Sequence, residues 1–245
     1  MNNDNLADLY LIGTGILGMR QISAEAYDAL SRCRKVFHLT SNQEGLKMIC
    51  PDVVDNAGEY WTGERPGIVY KRIADKVVAE VKNGPGVANV IYGHPLFFDD
   101  INIELIRQAR ELDLNYVVLP GISCLDTLST DLEIDYGDGL QVYEAQDLVF
   151  NEHPLNPRVH AVILQIGLFG TQNLTIPNAP CPEGRFSLLQ QYLEKYYSPD
   201  HLVTIAFSDR GDEWTRFQLQ CRVSEIDANR KNIFKGTTMY IPPVR

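Results

Sequence analysis

The chain has 245 residues, of which 44% are hydrophobic and 22% are charged, and its formal net charge is -10. This length and composition are typical of a soluble α/β protein of one large or two modest domains, and the acidic charge argues against a nucleic-acid-binding protein, which normally has a basic surface. The five cysteines have no C-x-x-C spacing, so we expect neither a metal site nor a disulfide framework. The sequence shows no signal-peptide pattern, and no apolar run approaches the ~20 residues of a membrane span. We therefore expect a cytoplasmic protein without a membrane anchor.

Strands and helices alternate through the first half of the chain, as in a mostly parallel sheet covered by helices. Ser23 is expected to cap the first helix, and the glycine-rich run 83–86 is expected to end the second. The predicted strands are 9–12, 35–39, 87–92 and 116–119, and the predicted helices are 24–34, 68–82, 101–112 and 123–132.

The pattern changes at about residue 140, beyond which strand-like runs become more frequent. The predicted elements there are strands at 142–143, 161–166, 202–207, 216–223 and 237–241, a loop at 170–185 and a helix at 186–197. We therefore predict an N-terminal α/β domain, residues 1–137, and a C-terminal α+β domain, residues 138–245.

Three glycine-containing turns follow strands of the first half. The turn G-T-G-I-L-G at 13–18 fits the G-x-G-x-x-G pattern of dinucleotide-binding folds, but the next predicted strand ends without an acid to hold a ribose. A tight turn that requires glycine explains this motif at least as well. The other turns are Y-G-H-P-L-F-F at 92–98 and P-G-I-S-C at 120–124. Because open α/β sheets bind ligands beyond the carboxyl ends of their strands, these turns are candidates for a ligand site. For Phe97 and Phe98 the sequence supports a place in the ligand pocket and a place in the hydrophobic core equally well.

Taken together, the three turns resemble those of the tetrapyrrole methylase superfamily, and the resemblance continues through Y-E-A at 143–145, Q-I-G at 165–167 and G-T-T-M-Y-I-P at 236–242. It implies a tetrapyrrole-methylase-like fold of two α/β domains, with S-adenosylmethionine (SAM) in the cleft between them and S-adenosylhomocysteine (SAH) as the product. The residues that it implies for SAM binding are His94, Phe97, Phe98, Ser123, Cys124, Gln165, Ala206 and Thr238.

Within that superfamily, Y-G-H-P with the downstream Y-E-A and Q-I-G is most similar to the borosin peptide α-N-methyltransferases, which methylate backbone amides of a ribosomally made precursor peptide. This resemblance implies reaction-side tyrosines at Tyr60, Tyr70 and Tyr92. The family's R-x-x-x-Y arrangement would place an arginine at position 66, where this chain has Pro66, and the nearest arginine is Arg65. A shift of the loop would bring Arg65 to the same place, whereas loss of the arginine would mean altered chemistry or none.

These residue types suit the chemistry of an amide. The nitrogen lone pair is delocalised into the carbonyl group, so methylation requires loss of the N–H proton or movement of charge onto the oxygen. A phenol near an arginine can act as the base once its pKa is lowered, and a second phenol or the guanidinium can stabilise charge on the amide oxygen. This chemistry requires no metal.

The resemblance also bears on the partners of the chain. Some borosin enzymes carry their substrate as a C-terminal extension, whereas this sequence ends directly after its last predicted strand, so we expect a separate peptide substrate in trans and, from the family, a homodimer. Two alternatives remain open: a methyltransferase of a tetrapyrrole or another small molecule, and a non-catalytic SAM- or peptide-binding homologue, which the proline at position 66 favours.

Overall fold

The computed structural model describes residues 6–40, 43–171, 182–211 and 215–245. These residues form two compact units, one containing the described chain up to Thr127 together with Arg210 and Gly211, the other containing the remainder from Leu128. None of the described helices combines the length and the apolar character needed to cross a membrane. The domain boundary that we predict between residues 137 and 138 stays a prediction.

The first unit is built on a parallel sheet. Its described strands are β1 (Leu9–Gly13), β2 (Lys35–Leu39), β3 (Val53–Asp55), β4 (Val87–Ile91) and β5 (Tyr116–Leu119), in the spatial order β3-β2-β4-β1-β5. Every residue of β1 and β4 is buried, as expected for central strands of a sheet covered on both faces. In register, Gly13 is opposite Ile91 and Ile12 is opposite Leu119, so the carboxyl ends of β1, β4 and β5 lie side by side.

The helices that begin in this unit are α1 (Ala24–Arg32), α2 (Gln43–Lys47), α3 (Ala57–Tyr60), α4 (Pro66–Val81), α5 (Asp100–Glu111) and α6 (Cys124–Leu132). The predicted cap of α1 is confirmed, because Ser23 accepts a hydrogen bond from the Ala26 N–H. Helix α4 begins with Pro66, a position where the missing N–H of proline leaves no hydrogen bond unmade. The helices α4 and α5 bury their apolar faces in one core with β1 and β4.

The second unit contains a mixed sheet. Its described strands are β6 (Leu140–Glu144), β7 (His160–Leu164), β8 (Leu202–Phe207), β9 (Phe217–Arg222) and β10 (Thr238–Ile241), in the order β6-β7-β10-β8-β9. Only the β6–β7 pair of these strands is parallel. The helices α7 (Ala145–Phe150) and α8 (Ser187–Leu193) pack on the sheet, and the core between them includes Phe169 and Phe186.

Every predicted strand is present in the structure, and the ends of most of them differ from the prediction by one or two residues. The longer predicted helices are also present, with similar differences at their ends. The predicted helix 186–197 is shorter than expected and ends at Leu193. The sequence did not indicate β3, α2, α3 or α7, because elements of three to six residues are too short for their periodicity to be recognised. Much of the predicted loop 170–185 (residues 172–181) lies outside the described residues.

Candidate active site

The three glycine turns meet at the carboxyl ends of β1, β4 and β5. The Gly93 N–H donates to the Gly15 carbonyl at 2.9 Å, and the Gly15 N–H donates to the Gly93 carbonyl at 3.2 Å. A Cβ on Gly13 would overlap the Gly93 carbonyl oxygen and lie 2.7 Å from Pro95 Cδ, and a Cβ on Gly121 would overlap the same oxygen. Close backbone approach therefore requires glycine at 13 and 121. We call this meeting of the three turns the glycine junction.

The first turn does not have the geometry of a dinucleotide site. Residues Gly18–Arg20 form a short 3-10 turn, and α1 begins only at Ala24, so the glycines do not lead directly into the α-helix N-terminus that would hold a pyrophosphate. The Gln21 side chain occupies this turn, where its Oε1 accepts a hydrogen bond from the Leu17 N–H at 2.8 Å. The glycines of this motif serve tight packing.

A buried pair of asparagines anchors the loop after β4. Asn89 Nδ2 donates to Asn102 Oδ1 at 2.9 Å, and Asn102 Nδ2 donates to the Pro95 carbonyl at 3.0 Å. Both asparagines are essentially inaccessible to solvent. Because unpaired buried amides are costly, these bonds fix the loop between the strand and the first turn of α5.

The predicted SAM-side residues of this loop lie near the surface. His94 is half-buried, and its Nδ1 accepts a hydrogen bond from the Leu96 N–H at 3.1 Å. The rings of Phe97 and Phe98 are 6.2 Å apart, and Phe98 has a left-handed backbone with φ of 63°. Leu96 and Phe98 are exposed rather than packed in the core, so the core interpretation of Phe98 is wrong and its pocket interpretation stays a prediction.

The third turn leads into α6. Ser123 donates from its N–H and its Oγ to the Asp126 carboxylate, at 2.6 and 2.7 Å, and these bonds close the first turn of the helix. Burial raises the pKa of the adjacent Cys124 thiol to about 11, so it is protonated at neutral pH and is a poor nucleophile. Ser123 and Cys124 thus contribute a fixed backbone at the end of β5.

The three predicted tyrosines come together, and we call them the phenol cluster. The rings of Tyr60 and Tyr70 stack with centroids 5.9 Å apart and planes inclined by 22°. The interaction between their hydroxyl groups raises the pKa of Tyr60 and lowers that of Tyr70. Tyr92, directly after β4, is close enough for its charge to raise the pKa of Tyr60.

The expected lowering of a phenol pKa is not found. Desolvation by the surrounding protein is the largest influence on Tyr60, Tyr70 and Tyr92, although Tyr92 is 48% exposed, and the pKa of each is raised above the ordinary value for tyrosine. For Tyr70, the interaction with the Tyr60 hydroxyl offsets only part of this effect. At neutral pH all three phenols are therefore protonated and able to donate hydrogen bonds.

Arg210 is the arginine that lies against this cluster in the structure, and the role expected of Arg65 stays a prediction. Arg65 is exposed at the start of α4, and its guanidinium makes no hydrogen bond or ion pair within the described chain. The Arg210 guanidinium instead lies over the Tyr92 ring, 5.2 Å from its centroid, and lowers the pKa of that phenol against the effect of burial. No local pattern pointed to Arg210, because it lies far from Tyr92 in the sequence.

A carboxyl group that the sequence analysis did not select also influences the pKa of the phenols. Asp99 Oδ1 accepts a hydrogen bond from the Asn102 N–H at 2.6 Å and caps α5. Burial raises the pKa of Asp99 to about 6, and the Asp99 charge in turn raises the pKa of all three tyrosines. The sequence feature that could have identified Asp99 was an acidic residue at the N-cap position before a predicted helix.

The three SAM-side residues predicted in the second unit lie at one end of its sheet. Thr238 at the start of β10 is paired with Ala206 near the end of β8. Gln165 follows β7, the other neighbour of β10, and has a left-handed backbone with φ of 54°. Among the described residues no group of histidine, cysteine and acidic side chains has the arrangement of a metal site.

This two-sheet α/β fold, whose first sheet carries the glycine junction, is the architecture of methyltransferases related to tetrapyrrole enzymes. The chain belongs to the tetrapyrrole (corrin/porphyrin) methylase family, whose model matches residues 8–205. This membership confirms the resemblance predicted from the three turns.

Solved structures agree with this fold. The uroporphyrin-III C-methyltransferase of Thermus thermophilus aligns with a TM-score of 0.69 and 17% identity, over 96% of this chain and 93% of that chain. A cobalt precorrin-4 methyltransferase of cobalamin biosynthesis aligns with a TM-score of 0.68 and 13% identity, over 96% of this chain and 94% of that chain. The predicted fold class is thereby confirmed.

Curated relatives are more similar in sequence. A methyltransferase and cyclic peptide dendrothelin A precursor of Dendrothele bispora is 31% identical over 96% of this chain and 57% of its own length. A type I borosin cyclic peptide precursor of Gymnopilus junonius is 32% identical over 80% of this chain and 46% of its own length, and the omphalotin A precursor of Omphalotus olearius is 27% identical over 96% and 57%. The chain spans about half the length of these relatives.

Proposed function

We propose that this chain is a SAM-dependent methyltransferase that methylates backbone amide nitrogens of a ribosomal precursor peptide. The observation that carries the proposal is the phenol cluster, in which Tyr60 and Tyr70 stack and Tyr92 lies near them, at the positions that the borosin resemblance implies. The relatives that are both methyltransferases and cyclic peptide precursors support the same substrate class.

The residues of the first unit fit SAM as a ligand. Leu96, Phe98 and Ile122 expose apolar surface at the ends of β4 and β5, which suits an adenine ring and a methionine chain, and the backbone of the glycine turns supplies polar groups beside it. We assign cofactor contacts in this unit to His94, Phe97, Phe98, Ser123 and Cys124. In the second unit we assign them to Gln165, Ala206 and Thr238. When bound, SAM supplies an electrophilic methyl group.

The chain's own residues would prepare the amide. Protonated phenols donate hydrogen bonds, so Tyr92 or Tyr70 can stabilise negative charge that develops on the amide oxygen. Arg210, over the Tyr92 ring, favours that negative charge further. The stacked Tyr60 and Tyr70 place two phenols side by side, which offers the amide proton a route away from the nitrogen. Tyr60, Tyr70 and Tyr92 are thus the proposed reaction residues, with Arg65 replaced in its expected role by Arg210.

We further propose that the chain forms a homodimer, as the borosin resemblance implies, and that it acts on a peptide supplied as a separate molecule. Light scattering of the purified chain measures its oligomeric state directly. A monomer at all concentrations would remove the dimer from the proposal without affecting the chemistry.

The test combines binding with transfer. Calorimetric titration with SAM and with SAH measures cofactor affinity, and radiolabelled SAM then measures transfer to a peptide with a leader and an apolar core encoded beside this chain. The matched control is the same peptide synthesised with its core amides already N-methylated, which has no N–H to replace. Labelling of the first peptide alone supports the proposal. Labelling of a porphyrinoid instead of the peptide would establish the small-molecule alternative, and binding without any transfer would establish a non-catalytic homologue.

A further inference from the structure

The segment that carries Tyr60 has little structure of its own. Helix α3 has four residues, too few to be stable without contacts from elsewhere in the protein. The connection that follows turns at Gly63, whose backbone is left-handed with φ of 77°. The Tyr60 ring nevertheless stacks on Tyr70 of α4 and meets the Trp61 ring edge-on, with centroids 4.5 Å apart. The position of Tyr60 is therefore set by contacts that come from outside this segment.

Arg72, two residues after Tyr70 in α4, binds the segment on both sides of Tyr60. Its Nη1 and Nη2 donate to the two carboxylate oxygens of Glu64, at 3.2 and 2.9 Å. Its Nη2 also donates to the Glu59 carbonyl at 3.4 Å. Because a guanidinium pairs with a carboxylate through two N–H groups held in one plane, this contact fixes orientation as well as distance.

A second cation of α4 holds the start of α3. Lys76, one helical turn after Arg72, forms an ion pair with the Glu59 carboxylate and donates to Asn56 Oδ1 at 3.2 Å. Asn56 is fully buried, and its N–H donates to the His38 carbonyl at 3.0 Å. The beginning of α3 is thus tied to both β2 and α4, and its end depends on the contacts of Arg72.

The contacts of Arg72 matter more for geometry than for stability. The side chains of Arg72 and Glu64 are 40% and 42% exposed, and ion pairs of that exposure contribute little to the free energy of unfolding. Tyr60 and Trp61 also pack against the apolar core beneath α4, but apolar contacts are not directional. Loss of the guanidinium should therefore change where Tyr60 lies without unfolding the chain.

We propose that Arg72 is a positioning residue for the reaction, which holds the connection between α3 and α4 so that the Tyr60 ring stays against Tyr70. This inference rests on the proposed function, in which the two stacked phenols offer the amide proton a route away from the nitrogen. Arg72 takes no part in proton or methyl transfer and acts through Tyr60 alone. Lys76 fixes the other end of the same segment.

The test variant is Arg72→Gln, which removes the ion pair and keeps a long polar side chain. We expect the kcat of peptide methylation to fall by about 10- to 100-fold, because a misplacement of about 1 Å can cost up to ~100-fold. SAM affinity and the urea midpoint should stay at the wild-type values. Arg72→Lys keeps the charge without the paired N–H groups and should recover part of the loss. The matched control is Arg32→Gln, which removes an exposed 3.0 Å ion pair with Asp28 in α1 and should change none of these quantities.

A double-mutant cycle separates positioning from a general structural effect. Because Arg72 acts through Tyr60, Arg72→Gln should lower turnover by less than about twofold further in a Tyr60→Phe background. If Arg72 contributed only to stability or contacted the substrate itself, the two losses would multiply. The charge-reversed pair Glu64→Arg/Arg72→Glu should recover part of the turnover that each single variant loses, because an ion pair can form again.

A second readout does not depend on the peptide. In a Trp214→Phe background, Trp61 is the only tryptophan of the chain, and its ring contacts Tyr60. Arg72→Gln should shift the Trp61 emission to longer wavelength, because the released segment gives this ring more contact with water. Arg32→Gln should leave the emission unchanged.

The inference fails if wild type methylates the peptide and Arg72→Gln keeps its kcat, or if the losses in the cycle multiply, and the proposed function stands in either case. Unchanged Trp61 emission in Arg72→Gln would also overturn it. A wild type that binds SAM and transfers its methyl group to no peptide would instead remove the proposed function, and the emission would still decide whether Arg72 fixes the segment.

Discussion

Tyr60 and Tyr70 stack with their ring centroids 5.9 Å apart and their planes inclined by 22°. Tyr60 is the last residue of α3 and Tyr70 lies in the second turn of α4, so a short connection brings the two phenols together. The interaction between the two hydroxyl groups raises the pKa of Tyr60 and lowers that of Tyr70, while burial raises the pKa of both.

Tyr70→Phe should suppress methyl transfer by at least about 100-fold and leave SAM affinity unchanged, because it removes a hydroxyl that handles the proton and retains the ring. Steady-state transfer and calorimetry measure the two quantities. Tyr27→Phe, at an exposed tyrosine of α1, is the matched control and should change neither. Near-normal turnover in Tyr70→Phe would exclude the role of this hydroxyl.

Arg210→Gln should lower turnover by about tenfold, equivalent to ~1.4 kcal/mol, because Tyr92 loses the cation over its ring. The pKa of Tyr92 should rise further, which a spectroscopic titration of tyrosine can follow. Arg65→Gln should have little effect, since the Arg65 guanidinium has no partner in the described structure. The reverse ranking of the two variants would return the role to Arg65, as the family motif implies.

Gly121→Ala should destabilise the first unit by about 1–3 kcal/mol and weaken SAM binding, because its Cβ would overlap the Gly93 carbonyl oxygen. Gly58→Ala is the control: its Cβ would meet no atom within 4 Å, and its stability should change by less than about 1 kcal/mol. Urea denaturation and calorimetry compare the two. Equal behaviour of both variants would contradict the backbone contacts of the glycine junction.

Asn102→Leu should cost about 1–3 kcal/mol, because the Asn89 amide and the Pro95 carbonyl are left buried without their partner. The double variant Asn89→Leu/Asn102→Leu should recover part of this loss, since no unpaired Asn89 amide remains. Urea denaturation gives both values. If the double variant were less stable than the additive sum of the single variants, the hydrogen-bonded pair would not be the source of the effect.

The glycine turns were predictable from the sequence because their cause is local. A short apolar strand with glycine at or just beyond its end needs few residues to be recognised: Gly13 is the last residue of β1, and Gly93 and Gly121 lie two residues beyond β4 and β5. Their mutual contact also follows, since adjacent parallel strands end at the same edge. The assignment of Tyr60 depended on the family resemblance, because α3 has only four residues and no periodicity of its own.

The charges around the phenols could not be predicted in the same way. The position of Arg210 over Tyr92 results from the fold of distant segments, and neighbouring sequence does not indicate it. The Asp99 cap was visible in the sequence, but the desolvation that raises the pKa of its carboxyl group was not. The raised pKa of each phenol is likewise a consequence of packing, which residue spacing does not determine.

The central claim is methyl transfer to a peptide backbone, and fragment-ion mass spectrometry of the leader-plus-core peptide after incubation with SAM tests it most directly. The account predicts mass increments of one CH2 group on core residues, located on backbone nitrogens, and their absence in Tyr70→Phe. Increments on side chains, or an unmodified peptide in the presence of a chain that binds SAM, would contradict it.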